Sequence, residues 1–533
     1  MPHPALRALL RRFGLSLAAV ALVAACTPPA ATPGIALDLD DPTPTAIRGT
    51  SLQITVDLTR LGGADAPVAL SVTGLPANVA AAFAPASLTG SATESTLTLS
   101  VGASATEGTS DLTVTGTTGT LSDDVDLTLT IGGLTVTGRV RQGAQRPLIG
   151  ATVASQDETA TTDATGAFTL SGLSVPYDLV VSSEMGDGSL HLFEGLTSPT
   201  PVVRPALDRF RAPMIGFSTT IDGSIDGGAL GLDEVVVVCV EGLSVAVKGC
   251  DTLGVGASAY SIGAGWFDES VATARLHAFH LEVDGDGLPT AYLGYETLLL
   301  DLTDGVAALA DLDFDPVATD TLTGTTSHPV ALPDSDLIVM ARFGPNLSMR
   351  LVAVEDPADA FALLVPVLPG LSYDVVFVGS DAVSGDDVLT WKHDVGLDAG
   401  AFAVAASAQM VAPAAAATGV DLTTEFTSTA VGGARTYLWG PDGVPGVVYA
   451  RTTTRTTVTI PDPTLGGFTV PAGAAYDWTI LGHGDEDVDS AAAGGYADYD
   501  TLLLMLLIGG GPGLDGDRTF AMLGADRGFR FAP

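Results

Sequence analysis

The chain predicts an all-β fold of tandem β-sandwich modules, and three observations carry that prediction. Helical periodicity is nearly absent along its 533 residues. Runs of Thr, Val and Leu alternate instead with period two, the pattern of strands that bury one face. Its 63 glycines and 32 prolines punctuate these runs as turns. Domains run about 100–150 residues, so a chain of this length exceeds one core and should form four or five modules.

Residues 1–46 stand apart from that pattern. Arg7, Arg11 and Arg12 precede an apolar run over residues 13–25, which ends in Val23-Ala24-Ala25 before Cys26. A charged start, a short apolar stretch and small residues before a cut site make an export signal. The run is too short to span a bilayer, which needs about 20 residues. With a cysteine at the first mature position, the segment resembles a bacterial lipoprotein signal, Val-Ala-Ala-Cys being its lipobox. The resemblance implies removal of residues 1–25, lipidation of Cys26, and an extracytoplasmic place in the cell envelope, held to the membrane by the lipid. In such lipoproteins an Asp after the lipidated cysteine commonly signals inner-membrane retention. Thr27 stands there, so the outer membrane or cell surface is expected. Residues 26–46, with Pro28, Pro29 and Pro33, read as a flexible, proline-broken tether.

Charge narrows the partners. Against 22 Lys and Arg stand 62 Asp and Glu, for a net charge of −40. Such a field repels nucleic acid, so no nucleic-acid partner is expected. Polysaccharide, surface proteins and divalent cations remain compatible with it.

The first module covers residues 47–132. Leu97, Leu99 and Val101 alternate with Thr98 and Ser100, and Val125, Leu127, Leu129 and Ile131 do the same. With its Gly74-Leu75-Pro76 turn, it resembles the immunoglobulin-like domains of bacterial surface proteins. The second module covers residues 134–205. It carries Val136-Thr137-Gly138-Arg139-Val140, then Pro147-Leu148-Ile149-Gly150-Ala151-Thr152-Val153, then Thr161-Thr162-Asp163-Ala164-Thr165-Gly166-Ala167-Phe168. These three motifs resemble a carboxypeptidase regulatory-like domain, a prealbumin-type β-sandwich without peptidase chemistry. Asp163 and Gly166 suit a tight hairpin, and Phe168 should plug the core.

Residues 206–322 form a β-rich module with a near-continuous apolar strand at 234–240. It holds Cys239 and Cys250. Lipidation of Cys26 would leave these two as an even pair, and export favours a disulfide stapling a β-hairpin. Two buried thiols are the alternative, and two thiols alone do not complete a zinc shell. Residues 323–410 repeat the sandwich style. Residues 411–533, with Thr418-Gly419-Val420-Asp421, Tyr437-Leu438-Trp439 and Tyr476-Asp477-Trp478, resemble a fibronectin type III domain. Three modules share a Phe, then a Pro, then Tyr-Asp: Tyr177-Asp178, Tyr373-Asp374 and Tyr476-Asp477. A tyrosine starting a strand can bond its hydroxyl back to the turn, as in a tyrosine corner, and structure is favoured there over ligand stacking.

Chemistry-bearing motifs are sparse. Of seven histidines only His277 and His280 are close, and three residues apart on a strand they face opposite sides. No serine elbow, Ser-x-x-Lys or phosphate loop occurs. Asp284-Gly285-Asp286-Gly287 has the start of a calcium loop, but its twelfth position is Tyr295. Asp485, Asp487 and Asp489 form a second weak calcium candidate, and Asp515 with Asp517 a third. Calcium is therefore the one cofactor in view, against the plainer reading of solvated acidic turns. Trp266, Trp391, Trp439 and Trp478 could stack sugars but each suits a core. No catalytic residue is assigned. The expected role is a cell-surface scaffold, structural, adhesive or binding. Carbohydrate binding is the alternative, and an enzyme within residues 209–409 the third reading.

Overall fold

The computed structural model describes residues 32–142, 146–184, 188–205, 216–243, 247–266, 270–327, 334–344, 347–381, 386–403, 409–430, 432–442, 446–494, 518–522 and 527–531. Strands make up 64% of the described residues and helix 3%, so the fold is all-β. Two compact units divide it.

The first unit takes its described residues from 32–46, 51–101 and 108–131. One sheet runs Gly34–Leu39, Ser51–Leu61, Glu94–Val101, Val79–Ala84, all antiparallel. The other runs Thr45–Ile47, Leu121–Gly132, Gly108–Thr118, Val68–Thr73, Ser87–Leu88. Period-two alternation decides what they bury. Leu97 and Leu99 are fully buried while Ser100 is exposed, and Leu127 and Leu129 are buried while Thr128 is half-exposed. Gly74 sits at φ 85°, and a Cβ there would lie 2.6 Å from the Asp111 carbonyl oxygen, so the turn requires glycine.

The second unit holds most of the remainder. Residues 134–205 open as a sandwich. One sheet pairs Leu134–Gln142 with Ala167–Leu173, and the facing sheet runs Glu158–Thr161, Thr152–Ser155, Tyr177–Ser183, Ser189–Leu196. Phe168 is buried between them. The Asp163 carboxylate accepts the Thr165 and Ala167 N–H groups at 2.7 and 2.9 Å, and Gly166 has φ 73°. The hairpin thus forms from its own local chemistry.

At Ser189–Leu196 the structure departs from separate beads. This strand pairs in parallel with Val448–Thr453, from Ser189 opposite Val448 to Phe193 opposite Thr452. The sheet then continues through Arg435–Pro441, Ala475–Gly482, Arg518–Met522, Asp386–Val395, Ser372–Asp381, Asp334–Gly344 and Leu347–Glu355. Residues from the expected 134–205, 323–410 and 411–533 modules therefore share one 14-stranded sheet. The physical reason is an unprotected edge. Residues 189–196 carry no Pro or Lys to block pairing, and their free N–H and C=O groups are satisfied by a second strand. The boundary at 411 marks a change of segment rather than of sheet.

Residues 216–315 form two further four-stranded sheets around Ile221, Val236, Val238, Tyr260, Ile262 and Trp266. The strand Glu234–Gly242 is buried on both sides. Val236, Val238 and Val240 face that core, and Val237 and Cys239 join Leu337, Val339, Tyr373 and Phe402 in the neighbouring one. Burial of both faces explains its unbroken apolar run. The C-terminal core centres on Phe426, whose ring meets Trp439 and Trp478 edge-on at 5.2 and 5.1 Å. Leu190 and Leu192 enter that same core from the 134–205 segment.

Candidate functional site

Cys26, with the lipobox and residues 26–31 of the tether, lies outside the described residues, as do Asp515, Asp517 and the apolar run at 502–508. Residues 34–46, expected as tether, belong instead to the first unit, because Gly34–Leu39 and Thr45–Ile47 find strand partners in its two sheets. The other residues singled out from the sequence have defined surroundings. Cys239 and Cys250 face each other across antiparallel strands and are joined, with S–S 2.05 Å. The link does not close a plain hairpin: Val247–Lys248, between the two, pairs with Ala259–Trp266 of the facing sheet.

The acidic candidates serve the backbone. Asp284 accepts the N–H groups of Asp286 and Leu288 at 3.0 and 2.9 Å within its own turn. Asp487 accepts the Ser490 N–H at 2.8 Å and caps the helix Val488–Gly494. Asp489 accepts the Thr197 and Ser198 N–H groups and, at 2.5 Å, the Thr197 hydroxyl. Asp485 is exposed. Among the described residues no three His, Cys, Asp or Glu side chains are grouped to hold a metal ion.

His277 and His280 do face opposite sides of Val271–Val283. His277 lies 3.5 Å from Glu241, bonds the Tyr295 hydroxyl at 2.8 Å and stacks on Phe343. His280 lies 3.6 Å from Glu234 and against Phe314. Burial lowers the His277 pKa, and Glu241 offsets part of that. His393 sits 3.3 Å from Asp374, a fully buried carboxylate that also meets Arg342 at 3.4 Å.

The three strand-starting tyrosines are buried, and each hydroxyl bonds a backbone carbonyl. Tyr373 donates to Pro366, just before its turn, at 2.5 Å. Tyr177 donates to Ser198 at 2.6 Å and Tyr476 to Val447 at 3.1 Å, neither in the preceding turn. Only Tyr373 therefore has the expected corner geometry. All four tryptophans are at most 1% exposed, so none offers a stacking face to a sugar.

Two features have no counterpart in the sequence reading. An open groove of about 360 Å³ in the C-terminal segment is lined by Val420, Leu422, Phe468, Val470, Pro471 and Phe531, with Asp421 and Thr464 as polar lining. The Asp421 carboxylate is held below its ordinary pKa by hydrogen bonds from the Thr423 and Thr424 side chains. The second feature is a buried polar chain across the parallel seam. His191 Nε2 lies 2.8 Å from Thr452 Oγ1, Thr452 Oγ1 lies 2.8 Å from Thr436 Oγ1, and Thr436 Oγ1 lies 2.8 Å from His483 Nε2. All four residues are at most 2% exposed. His191 and His483 are far apart in sequence, and the one local signal was a polar residue inside the apolar run Leu190-His191-Leu192-Phe193.

No protein-family model matches the chain, and no curated protein matches it. Among solved structures it is similar to domains 5-6 of the S-layer protein SbsC, at 12% identity over 51% of this chain and 100% of that one, with TM-score 0.15. It is similar to titin domains I67-I69 at 13% identity, over 52% of this chain and 99% of that one, with TM-score 0.14. It is similar to the FN1-FN3 domains of chicken CNTN1 at 8% identity, over 65% of this chain and 93% of that one, with TM-score 0.13. Scores this low carry no argument about function.

Proposed function

We propose that the chain is a non-catalytic, multi-module scaffold of the cell surface, structural or adhesive in role and anchored through a lipid on Cys26. One observation carries the scaffold reading: the 14-stranded sheet that runs through three sequence segments. A sheet that crosses segment boundaries resists hinge motion between them, which suits a spacer or a load-bearing mount better than a set of loosely tethered binding modules. The absence of catalysis is part of the proposal. His277, His393 and His191 sit in packed clusters with stacked or ion-paired neighbours, the surroundings of structural rather than reacting groups.

Anchoring is tested by labelling cells with a radioactive fatty acid. Wild type should take up label and sediment with membranes, and Cys26→Ser should do neither. A variant that stays membrane-bound overturns the anchor. Scaffold and carbohydrate-binding roles are separated by passing the purified chain over immobilised cell-envelope polysaccharides, where passage without retention is expected.

A further inference from the structure

The polar chain His191–Thr452–Thr436–His483 joins strands from two distant parts of the sequence. Its proton count is constrained. Three hydrogen bonds need three protons, and the two threonine hydroxyls supply two. One imidazole therefore presents Nε2–H and the other accepts there. Protonating the acceptor puts four donors into three gaps, and one hydroxyl must then turn away inside a dry interior.

Both sides of the seam are closed. The helix Val488–Gly494 packs near it through Val488, Ala491 and Ala492, in one core with Phe193, whose ring stacks on His191 at 3.9 Å. Leu190, Leu192 and Tyr449 fill the other side. Charged groups on the elements packed here are known among the described residues. Glu486, Asp487 and Asp489 follow His483, with Asp489 occupied by Thr197 and Ser198. Buried Arg204 bonds the Ala492 carbonyl through its N–H, and Asp178, Glu194, Arg435, Arg451 and Arg455 lie on the seam strands and their neighbours. The His191 pKa is pushed down to about 3, first by burial and then by His483.

We propose that the seam between Ser189–Leu196 and Val448–Thr453 is an acid-labile joint, opened when the accepting histidine of this hydrogen-bond chain becomes protonated. At neutral pH the chain of bonds locks the two strands in register. On acidification the folded seam rejects protons that an open seam accepts, so the open form gains population.

The test is amide hydrogen exchange on the full chain from about pH 7 to about pH 4, corrected for the chemical exchange rate. Protection of the amides at 190–193 and 449–452 should fall about tenfold per pH unit for each proton taken up, while the strand Ser372–Asp381 keeps its protection. The double variant His191→Gln, His483→Gln should lose this pH dependence. Seam protection that ignores pH, or that falls in step with every other strand, overturns the proposal, as does an unchanged response in the double variant. Should that variant fail to fold, the imidazole resonances of wild type decide. His191 staying neutral until the seam opens supports the joint, and ordinary titration near 6.5 in a closed seam overturns it.

Discussion

Thr436 and Thr452 face each other across adjacent antiparallel strands with 2.8 Å between their hydroxyl oxygens, and each passes the contact on to a histidine. Thr452→Val keeps the shape but leaves His191 and Thr436 short of a partner in a dry core. It should lower unfolding free energy by about 1–3 kcal/mol in urea titrations. The double variant with Thr436→Val should lose less than the sum of the two singles, because both remove the same bond.

Phe426 keys the C-terminal core, fully buried between two tryptophans. Phe426→Ala should cost about 3–5 kcal/mol, through lost transfer energy and the cavity left behind. Chemical denaturation followed by tryptophan fluorescence measures this directly, since Trp439 and Trp478 line that cavity.

Two tyrosines should respond oppositely to loss of the hydroxyl. Tyr373→Phe removes the bond to Pro366 and should destabilise by about 1 kcal/mol. Tyr449 is fully buried, and its hydroxyl has no hydrogen-bond partner among the described residues. Tyr449→Phe should therefore be neutral or stabilise by up to about 1 kcal/mol.

Alkaline behaviour follows from the same burial. The Tyr373 pKa is pushed up to about 12 from 10.0, first by burial and then by Asp320. A folded pKa above the unfolded one gives stability that is full below pH 10 and lost as pH rises toward 12. Tyrosinate absorbance should rise together with unfolding, not ahead of it; a transition well before unfolding would contradict the buried assignment.

The bridge between Cys239 and Cys250 spans a separation of 11 residues. Chain entropy assigns such a loop about 3 kcal/mol. The Cys239→Ala, Cys250→Ala variant should lose stability of that order, and reducing agent should shift wild type toward the variant and leave the variant unmoved.

Asp489→Asn weakens the charge-assisted bonds to Thr197 and Ser198 and should cost about 1–2 kcal/mol. Because Asp284, Asp487 and Asp489 already serve N–H groups, millimolar calcium is expected to leave the melting temperature unchanged. A rise that Asp487→Asn abolishes would assign the cluster to calcium instead.

Much of the local structure was legible because its causes are local. Asp163 and Gly166 specify their hairpin within five residues, and the opposite facings of His277 and His280 follow from the two-residue repeat of a strand. The apolar strand at 234–242 was visible as a run, but the two cores it serves were not, because one strand does not name its neighbours. A corner was expected at all three tyrosines and formed only at Tyr373, while Tyr177 and Tyr476 bond the distant Ser198 and Val447 carbonyls. A hydroxyl's partner depends on which carbonyl the fold brings near.

By itself the sequence determined the all-β class, the turns and the face each strand buries, since period and turn chemistry act over a few residues. Only the tertiary structure decided that Ser189–Leu196 joins Val448–Thr453, and so brought His191 to Thr452 and His483 to Thr436. Edge pairing is settled by which unpaired backbone is nearby and which faces can be covered together. Neither condition is written in any short stretch of chain.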